Sequence, residues 1–315
     1  MNIDISMRKS KRELEKNIRL HRNAILMVNV SSRKGNQLLL EAKRLLKQRG
    51  FRIIETLLVR DTTSIDTAMT RVMRSAPDLL ILASGDGTVS TVVDHLAYTN
   101  TVLGFIPLGT TNNFARSLSI PLDVEGAIDV IANGKVADID LGKVNEDYYA
   151  NVASIGITVA IARSVSNKYK RWLGRFAYVL SGLKMLFRHR SFSVTIDAND
   201  RSYAFKTHEL LIVNGRFHAG RLIASDASID NQSLVLFYLG DVRKLELLRS
   251  LLLHAFRRPR TLNQENYIVT DRATITTYPP QRLELDGELR ETTPVEVSVA
   301  PEALLIMVGK DFNDD

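Results

Sequence analysis

Leu79-Leu80-Ile81-Leu82-Ala83-Ser84-Gly85-Asp86-Gly87-Thr88 and, one strand further on, Val102-Leu103-Gly104-Phe105-Ile106-Pro107-Leu108-Gly109-Thr110-Thr111-Asn112-Asn113-Phe114-Ala115-Arg116 follow one plan. Each runs from a short stretch of strand formers through a glycine-rich turn into a helix-like stretch. Glycine at such a turn admits positive φ and lets the backbone approach a ligand with no Cβ in the way. The helix that follows presents unpaired N–H groups and a partial positive charge, which suits a phosphate. A tight structural turn explains Gly85-Asp86-Gly87 taken alone, but two such turns side by side predict a nucleotide cradle. In it Gly85 and Gly87 would admit the phosphates and Thr88 would donate to them at the helix start. Gly109, Thr110 and Asn112 would form the second wall. Asp86 is the candidate for holding a metal-bound phosphate or accepting the proton of an attacking hydroxyl.

Outward from these loops the chain alternates in an α/β rhythm. A first strand is expected at Ile25-Leu26-Met27-Val28, a helix from Leu38 to Gln48 ended by Gly50, a strand from Phe51 to Val59 and a helix from Ile65 to Arg74. Another helix is expected from about Asp123 to Ala132. Strands alternating with helices imply a parallel sheet with ligand loops at the strand C-termini. After about Lys135 the texture changes to short strands and turns. They are expected at Phe192 to Asp197, Glu209 to Asn214, Leu234 to Leu239, Tyr267 to Thr276, Arg282 to Leu285, Val295 to Val299 and Leu304 to Val308. That predicts an all-β second half, a sandwich interrupted by two helical stretches. The expected organisation is a basic arm over 1–22, a nucleotide-binding domain over 23–138, a sandwich over 139–309 and a short tail over 310–315.

The chain has 315 residues, 45% of them hydrophobic and 24% charged, enough for two proper cores. It has no cysteine, hence no disulfide framework, which fits a reducing cytoplasm. Six scattered histidines and no H-E-x-x-H leave little room for zinc. A net charge of +7 points to an anionic partner: a membrane surface, a nucleotide or a nucleic acid. Nucleic acid is the weakest of these and is not expected, because no aromatic or groove-reading motif accompanies the charge. No apolar run approaches the roughly 18–20 residues that span a bilayer, and no signal-peptide core is seen. The basic stretch 1–22 reads either as a solvated helix or as a membrane-attracted arm. Residues 168–190 carry seven lysines and arginines and no acid, edging an apolar stripe that includes Trp172, Phe176 and Leu183. That stripe suits an anionic membrane surface or a helix covering the sandwich. Leu245 to Phe256 raises the same choice.

The SGDGT turn followed by PLGTxN-x-FAR resembles the diacylglycerol kinase and sphingosine kinase superfamily, specifically its soluble bacterial lipid kinases. GDGT is shared with NAD kinases and phosphofructokinases; the Pro107–Arg116 loop is the lipid-kinase version. The resemblance runs from Asn29 to Asp286-Gly287-Glu288. It implies a phosphofructokinase/NAD-kinase-like parallel α/β domain, a C-terminal β-sandwich domain and a cleft between them. Asn29, Ser32 and Gly35 match the family's first loop, which would put Asn29 and Ser32 near the nucleotide. The Asp-Gly at 286–287 is also a strong hairpin signal. The family carries D-G-E there, which makes Asp286 a candidate general base, with Glu288 beside it, while Asp86 handles Mg²⁺ and phosphate. The activity implied is ATP- and Mg²⁺-dependent transfer to a lipid hydroxyl, diacylglycerol by default, in phospholipid biosynthesis. The enzyme would be cytoplasmic and peripheral to the inner face of an anionic membrane, as a monomer or a homodimer.

Several positions depart from the family pattern. Asn113 stands where bacterial members carry aspartate, and Ser90 and Thr91 replace asparagine and glutamate. Asn231, Gln232 and Val235 occupy places of aspartate, glycine and aspartate in a segment that holds a structural Mg²⁺ in some members; losing hard oxygen ligands argues against that ion here. These changes keep three alternatives open: a nucleotide- or lipid-binding pseudokinase, a kinase of sphingoid bases or another glycerolipid, and a soluble-substrate kinase of the NAD kinase type.

Overall fold

The computed structural model describes residues 8–31, 35–157, 159–160, 189–214, 217–218, 221–222, 232–240 and 267–313. Ser32, residues 168–188 of the basic stretch, residues 224–231 and the run 245–256 lie outside them. The chain divides into two compact units that do not follow its order. One comprises residues 1–151, 214–232 and 299–315, the other 152–213 and 233–298.

The first unit begins with α1 (Lys11–His21), β1 (Asn23–Asn29), α2 (Gly35–Gln48), β2 (Arg52–Val59), α3 (Thr62–Ser75), β3 (Leu79–Ser84) and α4 (Asp86–Leu96). Next come β4 (Val102–Pro107), α5 (Asn113–Ser117), α6 (Val124–Asn133), β5 (Lys135–Val144) and β6 (Asp147–Tyr149). Strands β2, β1, β3 and β4 lie in that order and pair in parallel. Every residue of β3 and β4 is buried, as a parallel sheet covered on both faces requires of its continuous apolar runs. Asp123 caps α6 by accepting from the Gly126 N–H at 2.7 Å. Asp61 and Ser64 form a reciprocal capping box on α3.

Residues 8–22 are docked rather than free. Leu14 and Ile18, one turn apart, are buried in the core of the unit. Lys11 meets Asp138 at 2.7 Å, and Arg19 donates to the Gly134 carbonyl at 3.0 Å. The Arg8 guanidinium donates to the carbonyls of Thr99 (3.0 Å), Ala303 (2.9 Å) and Glu302. An amphipathic periodicity beneath the basic composition explains the docking, because the charges occupy the outer face.

The second unit begins with β7 (Val152–Gly156), β8 (Phe192–Ala198), β9 (Arg201–Thr207) and β10 (Glu209–Val213). The pair β11 (Phe217–His218) and β12 (Arg221–Leu222) belongs to the first unit. Then come β13 (Leu234–Leu239), β14 (Tyr267–Thr270), β15 (Arg272–Tyr278), β16 (Arg282–Leu285), β17 (Glu288–Thr292) and the long β18 (Val295–Val308). One antiparallel sheet runs β14-β13-β10-β7-β16-β17. The other runs from the start of β18 through β15 and β8 to β9. Phe205 of β9 stacks on Tyr238 of β13 with centroids 4.1 Å apart, joining the two sheets. Burial alternates strictly along β15, the mark of a strand with one face on a core.

Two expected segments differ. Tyr267 to Thr276 is two strands, because the chain changes sheets at Asp271, where the alternation of buried and exposed residues slips by one. The stretches either side of Pro301 are one strand. Its residues up to 298 pair antiparallel with β15 in the second unit, and Ile306 pairs parallel with Leu103 of β4 in the first. Glu302 sits at φ 50° within it, a local kink that lets the strand pass the proline. The strands β5, β6, β7, β9, β11 and β12 were not anticipated, and β17 only through the hairpin signal at 286–287.

Leu14 is fully buried, so Leu14→Ala is expected to cost about 2–4 kcal/mol of stability in denaturant titration. An unchanged midpoint would show that α1 contributes nothing to the core.

Candidate functional site

Three connections leave the same edge of the parallel sheet: β1 to α2, β3 to α4 and β4 to α5. Register sets them side by side, since Val28 pairs with Ala83 and Ser84 with Pro107. The ladder continues one step past β4, where the Leu108 N–H donates to the Ser84 carbonyl at 2.7 Å. The two glycine turns then meet backbone to backbone. A Cβ on Gly109 would lie 2.9 Å from the Gly85 Cα and 2.7 Å from Asn112 Oδ1; one on Gly85 would lie 3.1 Å from the Gly109 Cα. Neither glycine has a positive φ, so close approach is what demands them, not a left-handed conformation. Gly87 differs: it is exposed, and a Cβ there would meet nothing within 4 Å.

Gly85 is the N-cap of α4, and no side chain caps that end. Its leading N–H groups and partial positive charge face an open position over Gly87, the arrangement expected of a phosphate seat. Thr88 is buried, and its hydroxyl accepts from Asn29 Nδ2 at 2.7 Å. Asn29 Oδ1 in turn accepts from the Ser31 N–H at 2.9 Å. Thr88 therefore fastens the first connection to α4; accepting that bond uses a lone pair and not the hydroxyl proton, so it is compatible with the phosphate donation expected of Thr88. Asn112, buried at φ 49°, folds back on its own turn. Its Oδ1 accepts from the Gly109 N–H at 2.8 Å and its Nδ2 donates to the Gly109 carbonyl at 3.2 Å. Asn112 shapes the second wall, while Gly109 and Thr110 are exposed on it.

Asp86 joins the two loops. Oδ2 accepts from the Thr111 hydroxyl at 2.8 Å and Oδ1 from the Phe114 N–H at 3.1 Å. Arg116 Nε donates to the Thr111 carbonyl at 2.9 Å, so this arginine braces its own loop. Phe114 is anchored from below by an edge-to-face contact with Phe105, centroids 5.4 Å apart. Thr111 was not singled out in the sequence, where nothing distinguishes it from Thr110.

Mg²⁺ is commonly held by one or two carboxylates together with substrate phosphates and waters. Asp86 fits that habit: each oxygen accepts one hydrogen bond, one from a hydroxyl and one from a backbone N–H, and keeps a lone pair for a hard cation. Among the described residues no cluster of three or more His, Asp or Glu could cage a metal alone. Asn113, Ser90 and Thr91 are buried in this unit. Asn113 leaves Asp86 as the one acid within the two loops.

The remaining candidates lie in the second unit. Asp286 (φ 47°) and Gly287 (φ 102°) are the two central residues of the β16–β17 hairpin, with Leu285 paired to Glu288. Positive φ at both positions is the geometry that favours Asp-Gly. The turn is pinned to β7: the Asp286 N–H donates to the Val152 carbonyl, and Asp286 Oδ1 accepts from the Val152 N–H, both at 2.9 Å. Asp286 stays half-buried. Glu288 lies 3.1 Å from Arg290 on the same strand.

Residues 23–144 match the family described as the diacylglycerol kinase catalytic domain, and residues 151–308 match the YegS C-terminal NAD kinase beta sandwich-like domain. A diacylglycerol kinase of Staphylococcus epidermidis is 32% identical over 252 residues, covering 78% of this chain and 79% of that protein. One of Bacillus subtilis is 33% identical over 225 residues, covering 70% and 74%. A crystal structure of a diacylglycerol kinase from Bacillus anthracis superposes with a TM-score of 0.73 at 21% identity, over 91% of this chain and 97% of that one. It shares the fold described above.

The two kinds of glycine give opposite expectations. Gly109→Ala forces the loops apart and should cost about 1–3 kcal/mol of stability. Gly87→Ala, at an exposed helical position, should hold or raise stability by up to about 1 kcal/mol. It should still weaken binding of a nucleotide analogue by calorimetry if phosphate passes over that position. Undiminished binding in Gly87→Ala would remove Gly87 from the site.

Proposed function

The chain belongs to the diacylglycerol kinase family of lipid kinases, phosphotransferases with an alcohol acceptor, and from that membership we propose that it phosphorylates diacylglycerol to phosphatidic acid with Mg-ATP. The observation that carries this reading is the pair of glycine turns in backbone contact beside an uncapped helix N-terminus, bridged by one carboxylate. Phosphoryl transfer asks mainly for positioning and charge neutralisation. The lipid hydroxyl oxygen attacks the γ-phosphorus, the bond to ADP breaks, and the hydroxyl proton must leave.

In this proposal the N–H groups at the start of α4 and the surface over Gly85, Gly87, Gly109 and Thr110 hold the phosphates. Asn29, Thr88 and Asn112 keep those walls in shape, and Ser32 belongs to the same first loop. Asp86 would hold Mg²⁺ with the nucleotide phosphates, and the ion would supply charge neutralisation. Asp286 orients or deprotonates the lipid hydroxyl. The turn that carries it is fixed at two points to β7, a rigid mount for such a group. Glu288 adds a second carboxylate on the same hairpin, moderated by Arg290. Among the described residues no helix is long and apolar enough to cross a membrane, and the enzyme would meet its lipid at an anionic cytoplasmic surface as a peripheral protein.

Asn113 favours one competing reading. With one carboxylate where bacterial members have two, the chain would bind nucleotide without transferring phosphate. Transfer of labelled γ-phosphate from Mg-ATP to diacylglycerol, monoacylglycerol, sphingosine, ceramide and phosphatidylglycerol in mixed micelles decides between them. Labelled phosphatidic acid is expected. Asp86→Ala should reduce its formation about 10²–10³-fold. Asp286→Asn should cut turnover about 10²-fold or more with nucleotide affinity retained. Label on sphingosine alone would change the substrate; nucleotide binding with no labelled lipid would establish the binding module. Asn113→Asp should lower the Mg²⁺ concentration needed for half-maximal rate several-fold, an order set by one added hard ligand.

A further inference from the structure

Thr111 has no role in the reading above, yet among the described residues its hydroxyl makes the only side-chain hydrogen bond to the one acid in the two loops. An ionised carboxylate can only accept, so the Thr111 proton must point at Asp86 Oδ2 across their 2.8 Å. The threonine backbone is fixed independently by the Arg116 Nε donation to its carbonyl at 2.9 Å. The second carboxylate oxygen is fixed by the Phe114 N–H, and Phe114 is packed on Phe105. Arg116, Thr111, Asp86 and Phe114 thus form a closed set of contacts that fixes the orientation of the carboxylate from the opposite loop.

We propose that Thr111 is a positioning residue for phosphoryl transfer: its hydroxyl holds the Asp86 carboxylate in the orientation that receives the nucleotide-bound cation. The proposal rests on Asp86 serving the nucleotide site. Asn113 sharpens it, because no second acid in these loops can take over if Asp86 swings away. Valine has the shape of threonine without the donor, and serine has the donor without the methyl. The hydroxyl and the packing can therefore be separated.

The test is binding of ADP, with Mg²⁺ titrated, by calorimetry on the full chain, beside thermal unfolding and the lipid transfer assay. In Thr111→Val the Mg²⁺ midpoint and the dissociation constant for Mg-ADP should rise about tenfold, the scale of one charge-assisted hydrogen bond. The KM for Mg-ATP should rise with them, and Thr111→Ser should restore all three. Should Thr111→Val fail to fold, Thr111→Ala set against Thr111→Ser makes the same comparison. An unchanged Mg²⁺ midpoint in the variant lacking the hydroxyl overturns the proposal. So does equal weakening in the serine variant, which would assign the effect to the methyl. A wild type that binds Mg-ADP but labels no lipid sinks the kinase reading alone, and the Thr111 comparison still decides. A wild type that binds no Mg-nucleotide sinks both.

Discussion

The backbone contact between Gly85 and Gly109 is the constraint on which the site depends. With Cα atoms taking the place of side chains between the turns, the loops come close enough for Asp86, at the start of one helix, to reach Thr111 and the Phe114 N–H in the other loop. The parallel register makes that contact available, since Ser84 and Pro107 are the last paired residues of adjacent strands. Both strands must be buried on two faces to hold that register, and this demands the apolar runs that precede each turn. Sequence, sheet and site are linked through two missing Cβ atoms.

Legibility followed the strength of the local pattern. In the α/β half, continuous apolar strands and amphipathic helices, one of them opened at Asp123, gave nearly the observed elements; α3 starts at Thr62 and not at the expected Ile65, because its Asp61 cap was not read from the sequence. β5 was missed because Asp138 and Asp140 interrupt its apolar residues. β18 was divided at Pro301, where a kink at Glu302 was the real solution. The site was legible as a set of residue types, since glycine at two strand ends is a strong sign. The partners of each side chain were not. Asn112 could equally have faced a ligand, and its commitment to Gly109 follows from a left-handed turn that a one-dimensional pattern does not encode. Nor could sequence show that Arg116 would brace a carbonyl, since phosphate and acid partners were equally open to it.

Asp140 explains why the first unit takes in two later segments. It is buried, and its carboxylate accepts from the N–H of Gln232 at 2.7 Å and of Glu302 at 2.9 Å. Its own carbonyl accepts from Asn214 Nδ2 at 3.0 Å. One residue of β5 therefore gathers both returns of the chain. Burial pushes its carboxyl above the usual range, the two N–H groups act against that push, and neighbouring Asp138 adds to it. Gln232 and Glu302 both sit in the left-handed region, φ 51° and 50°. That conformation costs a non-glycine residue about 1–2 kcal/mol, an amount a hydrogen bond to a buried carboxylate offsets. Gln232 tolerates this left-handed position because its backbone N–H has this partner.

The same reasoning about partners bears on how Asp86 keeps its charge usable. A carboxylate in such a loop could be steadied by a cation, and Arg116 is the one cation in the two turns. It is directed instead to the Thr111 carbonyl. Asp86 is steadied by a hydroxyl and a backbone N–H, which orient it without neutralising it. An arginine partner would have met the carboxylate bidentately and competed with any incoming ion. Among the described residues the hydrogen-bond donors to Asp86 are neutral, and they hold it beside a helix N-terminus that favours anions. On the proposed reading the two features are complementary: the helix start would receive phosphate, and the oriented carboxylate the cation that accompanies it. With Asn113 supplying no second charge, that proposed division of roles would rest on a single acid, whose orientation is set by the Thr111 hydroxyl and the Phe114 N–H.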